Sequence, residues 1–271
     1  TMVTYQTGTP NGDLDIVGLR LGMSPSQVEA ILKSRNGDYK ILYSRAKLHG
    51  AFRLPKDGER AKNAIPGSDY VKNIFASDEG YRLRKKGTQI ALYFARPPSK
   101  NKLIYVKKTT IFQDEGPTVE AYDKAFMKKY GDEFYSTKAA QKLRNAQKKP
   151  GQISFPKRET HHDTKVIRLN SGQKSTNNEN LACYRNIGYA IKALETTGNH
   201  IDKYKNCGLI LTSMHAAQRD IAAVFSYEMS LIDFDELNKS HAKMILFIKE
   251  NNKKVKQEKL EAASKKDIDL F

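Results

Sequence analysis

QIALYFARPPSKNKLIYVKKTTIF, residues 89–112, holds two runs that alternate apolar with polar side chains around PPSKNK, a connection of hairpin length. Ile90, Leu92 and Phe94 in the first run, and Ile104 and Val106 in the second, recur at every other position. Each run can therefore turn one face to a core and the other to water, the pattern of antiparallel strands over 88–96 and 103–113. Upstream, the turn-rich stretch 54–68 leads into another strand-like run, 70–76. Downstream, GPTVEAYDKAFMKKYG (116–131) places Val119, Tyr122, Phe126 and Tyr130 on one helical face, with Gly131 as its stop.

DIVGLRLGMSPSQVEAILK, residues 15–33, reads as a short apolar strand running into a capped helix. Ser24 can accept a backbone N–H, Pro25 suits the first helical position, and Gln27 can reach back to the cap. Val28, Ile31 and Leu32 form the buried stripe, Asn36 and Gly37 stop the helix, and 39–45 follows as a strand. Residues 13–135 thus read as a two-layer α+β lobe behind a flexible leader, 1–12.

The second half repeats the order strand, strand, helix. Residues 136–180 read as a basic connector: a short helix over 137–149, a strand pair over 152–169, and the polar loop SGQKSTNNEN at 171–180. Residues 181–271 form a second α+β lobe, with strands at 207–214 and 222–232 joined through HAAQRD. Its last element is a long helix over 234–264, with Phe234, Leu237, His241, Met244, Ile245, Ile248 and Val255 spaced by three or four. Beyond Asn251 the helix becomes a charged shaft whose few apolar residues, Val255, Leu260, Ala262 and Ala263, read as a solvated end in preference to a coiled coil. The expected fold is α+β: two small two-layer lobes, each an antiparallel sheet packed by helices, with a long C-terminal helix.

The 271 residues carry 47 Lys and Arg against 30 Asp and Glu, a net charge of +17, and no Trp. Such a charge concentrates anionic partners: nucleic acid, acidic lipid, lipopolysaccharide or an acidic protein. Lys dominates over Arg, which weighs against bidentate base reading. No apolar run reaches the roughly 18 residues of a membrane-spanning helix.

Motifs for chemistry are sparse. ETHHDT offers His161, His162 and Asp163, but neighbouring strand residues face opposite ways, so the two histidines do not share a metal. There is no G-x-S-x-G elbow, and SGQKST lacks the leading Gly of a phosphate loop. Cys183 or Cys207 could act as a nucleophile only with a base such as His200 or His215. Asp114 with Glu115, and Asp132 with Glu133, read as turn or cap residues. No catalytic residue, metal or cofactor is expected. Cys183 and Cys207 are either two buried thiols or a disulfide closing a loop worth roughly 3.5 kcal/mol in the chain-entropy model.

Taken together, DIVGLRLGMSPSQVEAIL, the 89–112 pair with its following helix, and CGLIL with VFSYEMSLID ahead of the last helix resemble uncharacterised secreted proteins of Gram-negative bacteria. The first motif is similar to the small outer-membrane lipoprotein fold of the BamE (SmpA/OmlA) type, in which G-M-(S/T)-x-x-(E/Q)-V starts a helix packed on an antiparallel sheet. This chain departs from that family: it has no lipid-attachment Cys near its start and no Gly-x-Pro after the first helix, and it is far longer. Barrel-assembly roles are therefore not carried over. The resemblance implies a periplasmic or secreted setting with a signal peptide removed, and a Cys183–Cys207 disulfide. It also assigns Gly18, Gly22 and Met23 to a tight strand-to-helix junction.

The expected function is non-enzymatic: a periplasmic binding protein that engages an acidic protein or an envelope polymer through Arg84, Lys85, Lys86, Lys107 and Lys108. The alternative is a cytoplasmic nucleic-acid-binding protein that stacks bases on a basic, aromatic sheet face built from YRLRKKG (81–87) and LIYVKKTT (103–110).

Overall fold

A computed structural model describes residues 14–49, 64–78, 86–131, 134–137, 160–169, 177–195, 207–218 and 222–264. Eight strands form one antiparallel sheet: β1 (Lys40–Ala46), β2 (Tyr70–Ser77), β3 (Gly87–Phe94), β4 (Leu103–Ile111), β5 (Tyr135–Ser136), β6 (Thr160–Leu169), β7 (Leu209–Gln218) and β8 (Val224–Asp233). β1 to β4 meander from one edge to the centre. The chain then crosses to the far edge, and β5 to β8 meander back, giving the order β1-β2-β3-β4-β8-β7-β6-β5.

The halves meet where β4 pairs with β8, Tyr105 opposite Ile232 and Ile111 opposite Ser226. This corrects the expectation of two separately sheeted lobes. Apart, β4 and β8 would each present a row of unpaired backbone donors and acceptors; together they satisfy them.

Helices cover both faces of the sheet. On one, α1 (Pro25–Arg35) and α2 (Val119–Tyr130) pack Val28, Leu32 and Phe126 against Ile74, Leu92, Val106 and Leu231. On the other, α3 (Asn177–Glu195) and α4 (Phe234–Ser264) pack Ile187, Leu194, Phe234 and Leu237 against Tyr93, Tyr105, Ile210 and Ile232. The result is three layers, and the central strands are buried on both sides despite their alternating sequence. Leu48, Ile65 and Tyr70 form a smaller core with Met244 and Ile248 of α4.

α1 starts as its sequence requires: Gln27 N–H donates to Ser24 Oγ at 3.3 Å, and Ser24 N–H donates to Gln27 Oε1 at 2.9 Å. The expected strand before it is instead a tight turn in which Ile16 and Leu19 exchange backbone hydrogen bonds of 3.1 and 3.0 Å around Val17 and Gly18. Gly22 N–H then donates to Leu103 O at 2.7 Å and Leu103 N–H to Met23 O at 2.9 Å, docking the segment on β4.

The second half departs further. The loop expected through residue 180 already belongs to α3 from Asn177. β7 continues through the expected HAAQRD connection to Gln218. Of the strand pair expected over 152–169, β6 occupies 160–169, flanked by β7 and β5, and 152–159 lie outside the described residues. The leader 1–12 lies outside the described residues, as does the basic helix expected over 137–149 beyond Thr137. Cys183 of α3 and Cys207, just ahead of β7, form a buried disulfide with an S–S distance of 2.02 Å. Neither is a free thiol, so the cysteine-nucleophile reading falls.

Candidate functional site

The sheet face under α2 carries charge where an apolar floor would be expected. The pairing sets Lys165, Ser213, Met229 and Lys108 side by side across β6, β7, β8 and β4. The adjacent row is Asp163, His215, Tyr227 and Thr110. Alternation along each strand puts both rows on the α2 side.

α2 closes over these rows with aromatic and acidic side chains. The Tyr122 hydroxyl hydrogen-bonds Ser213 Oγ, and its ring lies 5.0 Å from His215 and 5.6 Å from Tyr227. Lys165 Nζ donates to Asp123 Oδ1 at 2.5 Å and to Asp163 Oδ2 at 3.0 Å. Asp163 Oδ1 also accepts from Ser136 Oγ at 2.8 Å and Thr137 Oγ1 at 3.3 Å. Around the same ammonium stand the rings of Tyr122, Phe126 and Phe134, at 5.8, 5.9 and 5.8 Å.

The Lys165 side chain is only 3 % exposed, and it is matched by two carboxylates and three ring faces. These contacts fasten α2 and the β5–β6 edge together. Burial pushes the Tyr122 phenol well above its ordinary value, so at neutral pH it stays a protonated hydrogen-bonding group.

Of the five basic residues expected to form one patch, the structure describes three, Lys86, Lys107 and Lys108. Arg84 and Lys85 lie outside the described residues. Lys86 pairs with Glu115 at the surface. Lys107 Nζ lies 2.8 Å from Glu228 Oε2 on the α3/α4 side, while Lys108 Nζ sits 5.3 Å above the Tyr227 ring on the α2 side. Adjacent residues of a strand cannot share a face.

Of the aromatic residues expected in a nucleic-acid platform, Tyr105 is buried beneath α3 and α4. Tyr81 and its basic neighbours through Lys85 lie outside the described residues, as do the side chains of His161 and His162. Among the described residues, no group of three or more His, Cys, Asp or Glu side chains is placed to hold a metal ion.

The outer part of α4 is exposed and rich in lysine. Its last buried residue is Ile248, and every side chain from Asn252 to the helix end is exposed. From residue 249 on, roughly 24 Å of helix stands clear of the core at 1.5 Å per residue. That stretch carries five lysines, Lys249, Lys253, Lys254, Lys256 and Lys259, and three acids, Glu250, Glu258 and Glu261. Lys254 reaches Glu258 at 3.9 Å, whereas Lys253, Lys256 and Lys259 have no carboxylate partner among the described residues.

No described helix is long and apolar enough to cross a membrane. No family model, curated protein or solved structure matches this chain.

Proposed function

We propose that this chain is a non-enzymatic binding protein that works in the periplasm or as a secreted protein, and that it engages an anionic macromolecule, an acidic protein or an envelope polymer, by charge. The observation that carries the reading is the lysine-rich outer half of α4, exposed from Asn252 to the helix end, where Lys253, Lys256 and Lys259 have no carboxylate partner among the described residues. Isolated helical stretches of this length are marginal in water, so a partner that neutralises the lysines would also stabilise the helix. The disulfide supports a setting outside the reducing cytosol.

The test is retention on immobilised heparin, used as a generic polyanion, across a salt gradient. Replacing Lys253, Lys254, Lys256 and Lys259 together with Gln keeps helix propensity while removing charge. The variant is expected to elute at clearly lower salt than the wild type, and both are expected to weaken toward physiological ionic strength, about 0.15 M. Equal elution of the two proteins would reject the α4 surface.

A further inference from the structure

Beyond the macromolecular partner, we infer that the cleft between α2, β4 and β8 is a binding site for a small aromatic carboxylate. It is a separate site, on the opposite side of the sheet from α4.

The cleft has a volume of about 260 Å³. Its walls are the rings of Tyr122, Tyr130 and Tyr227, and its apolar floor is made by Ile16, Phe126 and Met229. That volume exceeds the roughly 150 Å³ of a cavity that holds benzene and falls just below the roughly 300 Å³ at which pockets for drug-sized ligands begin. A one- or two-ring body fits, with flat faces against flat faces.

Two ammonium groups decide the charge of the ligand. Lys129 Nζ is 5.1 Å from the Tyr130 centroid, but it is already bound to Asp15 Oδ1 at 2.8 Å. The Asp15 carboxyl, although desolvated by burial, is held below its ordinary value by that lysine and by the Gly18 N–H. Lys108 differs. It grows from β4 in the middle of the sheet, half-buried between Ile90 and Met229 on neighbouring strands. Among the described residues its ammonium has the Tyr227 ring and no carboxylate.

A half-buried cation without an anion is costly in an inward-facing position, and one monoanionic ligand would supply the missing charge. The walls carry no competing negative charge, because burial keeps the Tyr122 and Tyr130 phenols protonated. At the lip, Val17 is held at φ 52, a backbone region that a β-branched side chain occupies only under strain. That turn fixes one wall of the cleft.

The probe is 2-naphthoate, titrated calorimetrically into the full chain, with 2-naphthylmethanol as its neutral counterpart. Naphthoate should bind at one site per chain, at least about tenfold tighter than the alcohol. Lys108→Met, which keeps the aliphatic stem, should weaken naphthoate about tenfold or more and leave the alcohol unchanged. Ala125→Phe, on the exposed helical turn above the cleft, should block both, with circular dichroism verifying that each variant is folded.

The α4 glutamine variant should bind naphthoate like the wild type, so failure of the heparin experiment leaves this test intact. The inference is overturned if naphthoate shows no saturable binding by about 1 mM. It is equally overturned if folded Lys108→Met and Ala125→Phe bind naphthoate as the wild type does.

Discussion

Replacing Lys165 with Met tests whether the charged network under α2 holds the two halves of that face together. The substitution keeps the length of the side chain and removes the ammonium, leaving two carboxylates without their cation. Asp163 has a side chain only 6 % exposed and cannot turn to water, whereas Asp123, at 33 %, can relax outward. Breaking a buried pair by removing one partner costs about 3–5 kcal/mol. Because Asp163 keeps two hydroxyl donors, from Ser136 and Thr137, the lower end of that range is expected.

At roughly 2–4 °C per kcal/mol for a chain of this size, Tm should fall by about 6–12 °C. Adding Asp163→Asn to Lys165→Met removes the stranded charge and should recover more than half of the loss, the mark of a coupled pair. Urea unfolding followed by circular dichroism reads both variants. A loss below about 1 kcal/mol for the single variant, or no recovery in the double, would refute the view that the network is a buried, mutually dependent ion cluster.

Three further outcomes are expected. Replacing Cys183 and Cys207 together with Ala opens a link of sequence separation 24 and should lower stability by about 3.5 kcal/mol, read as a shift of the urea midpoint; an unchanged midpoint would contradict it. His241 is held neutral, its value lowered to about 4 by burial and then by the charge of Arg96. The folded form therefore binds fewer protons than the unfolded chain, and stability should fall by up to about 3 kcal/mol as pH drops from about 6.5 to 4. His241→Leu should flatten that limb relative to wild type, and superimposable pH profiles would count against the assignment. Gly116→Ala would place a Cβ 1.7 Å from the Val224 carbonyl oxygen, where the 112–118 segment runs against β8. A loss of about 3 kcal/mol or more is expected by thermal unfolding, and a neutral result would show that this approach is not tight.

Local signals in the sequence were reliable where they were self-contained. Ser24, Pro25 and Gln27 cap α1, the alternation of 89–112 makes the β3–β4 hairpin, and the three-and-four spacing from Phe234 to Ile248 makes the buried stripe of α4. Other features needed pairing between distant segments. Nothing near Tyr105 announces Ile232 as its neighbour, so the union of β4 with β8 left no local trace. α3 did leave one, in Cys183, Ile187, Ala190 and Leu194, but the Asn-rich run before it reads as loop. Lys107 and Lys108, adjacent in sequence, fall on opposite faces of the sheet because strand neighbours point apart. Lys165 is ordinary in sequence and becomes distinctive only when β5, β6 and α2 enclose it.

The claim that the outer half of α4 receives an anionic partner is tested most directly by lysine acetylation footprinting, with and without saturating heparin, read by mass spectrometry. Strong protection is expected at Lys253, Lys256 and Lys259, with little change at Lys107, which is already held by Glu228. Unprotected α4 lysines alongside protection elsewhere on the chain would contradict it.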